Sequence, residues 1–274
     1  MELSLDSKIK LNNGVEMPII GLGTWNLQGN ECVQATSWAL EAGYRLIDTA
    51  SVYGNEKKVG EAIKKSKIPR DEIFITTKVW NSEQGYDKAL AAFDKSLKRL
   101  DMSYIDLYLI HWPVSGLRNE TWSALEKLLE KDELRAIGVS NFTIRHLNEL
   151  FNKATKIPCV NQVEFSPFLY QKKLLEFCKT KEIYLEAYSP LTRGRKLDNP
   201  TLNSIGQKYN KTPAQVLIRW GLQHEVIQIP KSGSKDHLHE NIDVFDFELE
   251  QDDMARLDGL NKDFRVGDDP HTWD

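Results

Sequence analysis

Short apolar runs alternate with amphipathic stretches along most of the chain. The first feature, residues 9–17, carries Asn13-Gly14 between two short alternating segments, which predicts a β-hairpin with a two-residue turn. Residues 18–25, Pro-Ile-Ile-Gly-Leu-Gly-Thr-Trp, read as a strand with a glycine-rich exit. Helical periodicity at 31–41 precedes an apolar run at 44–47. A helix from Glu56, with Asn55 as its cap and Val59 and Ile63 on one face, precedes 73–79. The clearest amphipathic helix, 88–100, sets Ala92, Ser96 and Arg99 at helical spacing and precedes 105–110. Helices at 121–131, 143–151 and 174–179 precede apolar runs at 136–139, 159–163 and 183–187. A last helix at 213–221, opened by Pro213 in its first turn, precedes 226–229.

Eight short apolar strands separated by helices predict right-handed βαβ units and a parallel sheet. Eight repeats in a chain of 274 residues is the count of a closed (β/α)8 TIM barrel. No G-x-G-x-x-G opens a helix after the first strand, as an open dinucleotide-binding sheet would need, and Gly21-Leu22-Gly23 is only a two-glycine strand exit. No linker divides the chain, so residues 1–274 are expected to form one barrel domain with a short N-terminal hairpin and an irregular tail over 263–274.

Composition narrows the class. The chain is 41% apolar and 28% charged with net charge −4, which gives no basic footprint for nucleic acid or an anionic membrane surface. Cys32, Cys159 and Cys178 are scattered with no C-x-x-C, which argues against a disulfide framework and a structural zinc site and suits a reducing cytoplasm. The acidic start, Met-Glu-Leu-Ser-Leu-Asp, lacks an apolar core, and no run reaches the length of a membrane span. The expectation is a cytoplasmic monomer with neither nucleic-acid nor membrane partners.

Residues 43–60, G-Y-R-L-I-D-T-A-S-V-Y-G-N-E-K-K-V-G, set Asp48 at a strand end and Tyr53 in the loop above it. In a βα barrel the carboxyl ends of the strands share one face, so their exits are read as a set. They are Thr24-Trp25, Asp48 with Tyr53, Lys78-Val79-Trp80, His111-Trp112-Pro113, Ser140-Asn141, Gln162 with Glu164, Tyr188-Ser189-Pro190 and Lys231-Ser232. Singly, each has a structural explanation: a surface lysine, a packed turn histidine, core tryptophans. Together, Asp48, Tyr53, Lys78 and His111 come from adjacent strands and should converge. A tyrosine donates a proton more readily when a cation lowers its pKa, and Lys78, held by Asp48, is the expected cation. Trp25, Trp80 and Trp112 would build an apolar mouth around these polar groups.

On these residues the chain resembles the aldo-keto reductases over nearly its full length. Residues 43–60 match a first family signature. Residues 125–142, ending Arg135-Ala136-Ile137-Gly138-Val139-Ser140-Asn141-Phe142, match a second, and Ile229-Pro230-Lys231-Ser232 with Glu240-Asn241 matches most of a third. Within the family it is similar to bacterial 2,5-diketogluconate and methylglyoxal reductase-like members. The resemblance implies a catalytic tetrad of Asp48, Tyr53, Lys78 and His111, with Tyr53 protonating the substrate oxygen as hydride reaches the carbonyl carbon. It implies cofactor contacts from Gly23, Thr24, Trp25, Asp48, Ser140, Asn141, Gln162, Tyr188, Ser189, Leu191, Lys231, Ser232, His237, Glu240 and Asn241. Tyr188 would stack on the nicotinamide, and Ser140, Asn141 and Gln162 would hold its amide. Trp25, Tyr53, Trp80, His111 and Trp112 would contact the substrate, a small carbonyl compound reduced to an alcohol.

The third motif departs from the family pattern at His237, where an arginine is usual. An arginine is always charged and grips a phosphate bidentately, whereas histidine is only partly charged at neutral pH. Lys231 and Ser232 remain to meet a 2′-phosphate, so NADPH is expected as cofactor with a weaker preference than usual, NADH being tolerated and Arg193 and Arg195 available to compensate. His237-Leu238-His239 with Asp236 and Glu240 reads as an exposed helix start, and no metal is expected. Short loops at 114–120 and 192–198 predict an open pocket, over which His271 and Trp273 of the tail could fold. Two other classes bear weighing: a nicotinamide-binding regulatory or sensor subunit with little turnover, and a metal-dependent barrel hydrolase. The second needs His or carboxylate clusters on several strand ends, where only His111 and Asp48 fit.

Overall fold

The structure, a computed structural model, describes residues 3–273; Met1 and Glu2 of the acidic start and Asp274 of the tail lie outside them. Strands β1 (Lys8–Lys10) and β2 (Glu16–Pro18) form an antiparallel hairpin. Its turn is one residue longer than Asn-Gly alone predicts. Gly14 donates to Leu11 at 2.8 Å and takes a φ of +88°, so Asn12, Asn13 and Gly14 form a three-residue loop with glycine in the left-handed position.

The eight barrel strands follow in chain order: β3 (Leu22–Gly23), β4 (Leu46–Asp48), β5 (Phe74–Val79), β6 (Ile105–Ile110), β7 (Leu134–Ser140), β8 (Val160–Glu164), β9 (Tyr184–Tyr188) and β10 (Ile227–Gln228). Each pairs in parallel with the next. Closure comes from backbone bonds just outside β3 and β10. Gly21 donates to Gln228 at 2.8 Å, Gln228 to Ile19 at 2.9 Å, and Gly23 to Pro230 at 3.2 Å. Strands β5 and β6 are buried at every position because helices cover one face and the barrel interior the other, so apolar residues occupy both faces and the polar ones, Thr76, Thr77 and Lys78 in β5 and Asp106 in β6, are buried as well.

Helices α1 (Gly29–Glu41), α2 (Glu56–Ser66), α3 (Tyr86–Leu100), α4 (Arg118–Leu128), α5 (Ile144–Phe151) and α6 (Lys172–Thr180) match the periodicity to within a few residues. The buried face of α3, Ala89, Ala92, Phe93, Ser96, Leu97 and Leu100, repeats every three to four residues. Thr143 closes a capping box with His146 at the start of α5. Between β9 and β10 the chain makes two helices where the pattern predicts one: α7 (Pro200–Tyr209), then α8 (Pro213–Gln223) with a Thr212–Gln215 capping box. Helices α9 (Lys235–Ile242) and α10 (Gln251–Asp258) follow. The strongly acidic α10 buries only Asp253 and Leu257, too few apolar positions to show a period.

Asn55 departs from expectation. Its side chain caps no helix end; it is buried and turned inward. Its Nδ2 donates to the carbonyls of Thr24 (2.9 Å) and Leu27 (3.0 Å), and its Oδ1 accepts from Thr49 at 2.7 Å. Asn55 thereby bonds two carbonyls and one hydroxyl, and the exits of β3 and β4 are tied together.

The hairpin stoppers the amino-terminal end of the barrel. Leu11 and Met17 join Leu46, Phe74, Leu107, Leu109 and Ile227 in one apolar cluster. Asn12 donates to the carbonyls of Pro158 (3.0 Å) and Glu182 (3.2 Å), and Asn13 to that of Arg135 (2.9 Å), so the loop is pinned to the starts of three strands.

Gly60 of α2 lies against the end of α3. A Cβ there would stand 2.1 Å from the carbonyl oxygen of Leu100. Gly60→Ala is therefore expected to lower unfolding stability by about 1–3 kcal/mol, against the usual gain of glycine-to-alanine in a helix, as measured by urea denaturation.

Candidate active site

The carboxyl ends of the strands surround a cavity of about 780 Å³. Under its floor, Lys78 has no solvent exposure and Asp48 is almost as deeply buried. Lys78 Nζ donates to Asp48 Oδ1 (2.7 Å), Asp48 Oδ2 (2.8 Å) and the carbonyl of Thr49 (2.8 Å), which accounts for all three of its N–H bonds. Burial lifts the Asp48 carboxyl, and Lys78 and Gln162 pull it back. With both oxygens accepting from N–H donors, Asp48 stands as the carboxylate.

Tyr53 closes the one-turn helix Ser51–Tyr53, and its half-buried ring lines the cavity. The Lys78 ammonium faces that ring at 5.1 Å from its centroid. His111, just past β6, sits edge-on to both Tyr53 (5.7 Å) and Trp80 (5.1 Å). Burial and the neighbouring Lys78 charge hold its pKa well below the ordinary histidine value, so the ring is neutral at pH 7. The four residues expected to converge do so.

One expectation is corrected. The Tyr53 phenol is not acidified in this geometry: burial, Asp48 and Glu186 push its pKa well above the ordinary tyrosine value. The physical reason is that the lysine's donors are all spent on Asp48 and Thr49, and the carboxylate that anchors the cation also faces the phenol. Tyr53 therefore stands protonated at neutral pH.

Along the wall, Ser140 donates to the carbonyl of Gln162 (2.9 Å), and Asn141 Nδ2 donates to that of His111 (3.0 Å). Tyr188 donates its hydroxyl to Asn141 Oδ1 at 2.9 Å. Asn141 and Ser189 hold φ values of +64° and +50°, conformations sparsely populated by side-chain-bearing residues and concentrated at functional sites. Gly23, Trp25, Trp80, Trp112, Leu191 and Lys231 also line the cavity. Thr24 lies behind it, donating its hydroxyl to the carbonyl of Asp48 at 2.8 Å.

The outer end of the expected cofactor set is not part of this cavity. Ser232 is engaged with the backbone of Ser234, and His237 is exposed on the first turn of α9. Glu240 accepts from Thr212 at 2.6 Å, and Asn241 is buried.

Val52, Asn26 and Gln28, which the strand exits do not single out, flank the mouth. Arg193, expected only as a compensating charge, lays its guanidinium over Trp25 at 4.3 Å from a ring centroid. Val266, Gly267 and Asp268 of the tail form one wall, held by buried Glu164, whose carboxylate accepts from Val266 N (2.7 Å) and Gly267 N (2.8 Å). Trp273 stacks on Trp112 at 5.1 Å, so the tail does fold onto the rim, while His271 stays exposed beside Asp269. Glu186, fully buried beneath Gln162, is a carboxylate inside an otherwise apolar strand run, as Asp106 is in β6, and that placement was its available signal.

Fold and mouth together define a (β/α)8-barrel protein with an enzyme-like cavity at the carboxyl ends of its strands. Within that class the chain belongs to the aldo/keto reductase family of oxidoreductases, whose profile matches residues 19–262. It is 54% identical to the glyoxal reductase of Bacillus subtilis (strain 168) over 98% of each chain. An aldo-keto reductase from a Medee basin deep-sea metagenome library superposes with a TM-score of 0.92 at 47% identity, covering 95% of this chain and 97% of that one. The Bombyx mori aldo-keto reductase in complex with NADP superposes with a TM-score of 0.91 at 36% identity, covering 96% and 95%.

A histidine kept neutral by folding makes stability pH-dependent. Unfolded, His111 takes up a proton as pH falls through about 6.5, whereas the folded ring does not, so its contribution is lost below that value. His111→Gln is expected to flatten the loss of thermal stability between pH 6.5 and 5, read from melting temperatures across that range.

Proposed function

We propose that this protein is a nicotinamide-dependent reductase of small aldehydes and ketones, with NADPH as its preferred cofactor, and that Asp48, Tyr53, Lys78 and His111 carry the chemistry. The observation that carries the reading is the buried Lys78–Asp48 pair beneath a protonated tyrosine and a neutral histidine, on the wall of a tryptophan-lined cavity. Glyoxal reduction by a relative 54% identical and an NADP complex of a structural neighbour support the same conclusion.

The donor set fits the cofactor. Asn141 and Gln162 offer amides at the inner end, Tyr188 an aromatic face, and Arg193 and Lys231 positive charge toward the rim. Ser189 and Leu191 would meet the pyrophosphate, and Ser232, His237, Glu240 and Asn241 the outer nucleotide. When bound, the reduced nicotinamide supplies hydride to the carbonyl carbon.

The remaining steps belong to the chain. His111, neutral and edge-on to Tyr53, donates an N–H to the substrate oxygen and orients it toward the phenol. Tyr53 hands over its proton as charge develops there. Its raised pKa does not prevent this, because an alkoxide is a base comparable in strength to hydroxide. Lys78, whose ammonium lies 5.1 Å from the centroid of the Tyr53 ring, stabilises the phenolate so formed until a proton returns. Trp25, Trp80 and Trp112 exclude water from the reacting atoms.

Tyr53→Phe is expected to lower kcat for NADPH-dependent glyoxal reduction by roughly 10²–10⁴-fold, followed at 340 nm, while the NADPH dissociation constant stays within about twofold. Undiminished turnover would rule out Tyr53 as the proton donor. A wild-type protein that binds NADPH without turning over any of a panel of aldehydes would instead be a sensor subunit. At the outer end, His237→Arg is expected to raise the preference for NADPH over NADH by about tenfold, from paired dissociation constants.

A further inference from the structure

Gln162 is tied from below by two carboxyl groups. Its Nε2 donates to Asp48 Oδ2 at 2.7 Å and to Glu186 Oε2 at 2.7 Å. A primary amide nitrogen has two hydrogens, so both are spent. Gln162 lines the cavity, and the polar atom left over is its carbonyl Oε1, which makes no hydrogen bond among the described residues. Turning the amide over would set that oxygen against two carboxyl groups and leave the N–H groups unpaired.

Glu186 has no other bond to account for its position. It lies in register with Gln162 on one side and Ile227 on the other, has no solvent exposure, and its Oε1 is buried without a partner among the described residues. A carboxyl group is costly to bury, and Asp48 and Lys78 already satisfy one another without it.

We propose that Glu186 is a positioning residue that, with Asp48, holds the Gln162 amide carbonyl-outward, so that the inner end of the cavity selects a ring substituent bearing an N–H donor. The inference rests on the nicotinamide reading given above: the substituent selected is the carboxamide. A nicotinamide analogue whose ring carries a methyl ketone in place of the amide offers no N–H to Oε1.

The charged and titratable groups facing Glu186 are Asp48 of β4 and Lys78 of β5, with Tyr53 above them; β10 presents only Ile227 in register. Burial and the Asp48 charge push the Glu186 carboxyl up to about 8. Protonated at pH 7, it accepts the Gln162 N–H through Oε2. Ionised above pH 8, it accepts more strongly and polarises the Gln162 carbonyl further, so amide selectivity rises with pH.

The test is the ratio of dissociation constants for the 3-acetylpyridine analogue of NADPH and for NADPH itself, from quenching of tryptophan fluorescence. Glu186→Met, of similar length but without an acceptor, is expected to reduce this ratio by about fivefold or more, while Glu186→Gln, which keeps a carbonyl acceptor, retains it within about twofold. An unchanged ratio in Glu186→Met, or an equal loss in Glu186→Gln, overturns the proposal. Where Glu186→Met does not fold, pH decides. The wild-type ratio should rise between pH 7 and 9 and that of Glu186→Gln stay flat; a flat wild-type ratio, or the same rise in both, overturns it. Failure of the wild type to bind NADPH at all would sink the underlying reductase reading, whereas binding with no response to residue 186 sinks only this inference.

Discussion

An ammonium group with no access to water must have every hydrogen accounted for, and Lys78 meets that condition through two neighbours on one adjoining segment, Asp48 and Thr49. Removing one member of such a buried pair costs about 3–5 kcal/mol, because the other is left charged in a poor solvent. That constraint fixes β4 against β5 at their carboxyl ends, and the rest of the mouth is arranged around it. Burial and, after it, the positive charge keep His111 neutral, while the negative one holds Gln162 from below and adds to burial in raising the pKa of the Tyr53 phenol. The pair thus biases the protonation states above it, with Asp48 reaching the cavity wall and Lys78 wholly behind it.

Much of the architecture was legible because helices on one side and the barrel interior on the other bury every strand face. Strand β6 consequently appears as an apolar run broken only by Asp106, and the buried face of α3 as a clean helical period. The polar residues of the mouth were legible for the complementary reason: Asp48, Lys78, His111 and Gln162 interrupt or end those runs. What the pattern could not carry was partnership. Asparagine before a helix is most often a cap, and nothing local distinguishes Asn55, whose partners Thr24 and Leu27 lie about thirty residues earlier. Likewise the lysine's proximity to a tyrosine was readable, but not that its three hydrogens point elsewhere. Helix α7, with Gly206 in its interior and few buried positions, and the acidic α10 carry too little periodicity to be seen.

The loops that carry the site are held by unusual means. Asn141, Ser189, Thr192 and Arg193 all adopt left-handed backbone geometry at the exits of β7 and β9, although none is glycine. Such residues persist only where surrounding contacts over-determine them. Here Asn141 and Tyr188 bond one another across the two exits, and the guanidinium of Arg193 rests on Trp25 from the opposite side of the mouth. The tail adds a third restraint through Glu164, which accepts two consecutive backbone N–H groups of a segment that has no regular structure of its own.

The amino-terminal hairpin has a consequence for traffic. With Leu11 and Met17 filling the far end and two asparagines bolting the loop to three strand starts, no passage crosses the barrel from beneath. Whatever reaches Tyr53 must come and go by one door. Where two molecules share a blind chamber, the one seated deeper departs last, and the lifetime of the first arrival becomes the limit on how often the second can be exchanged.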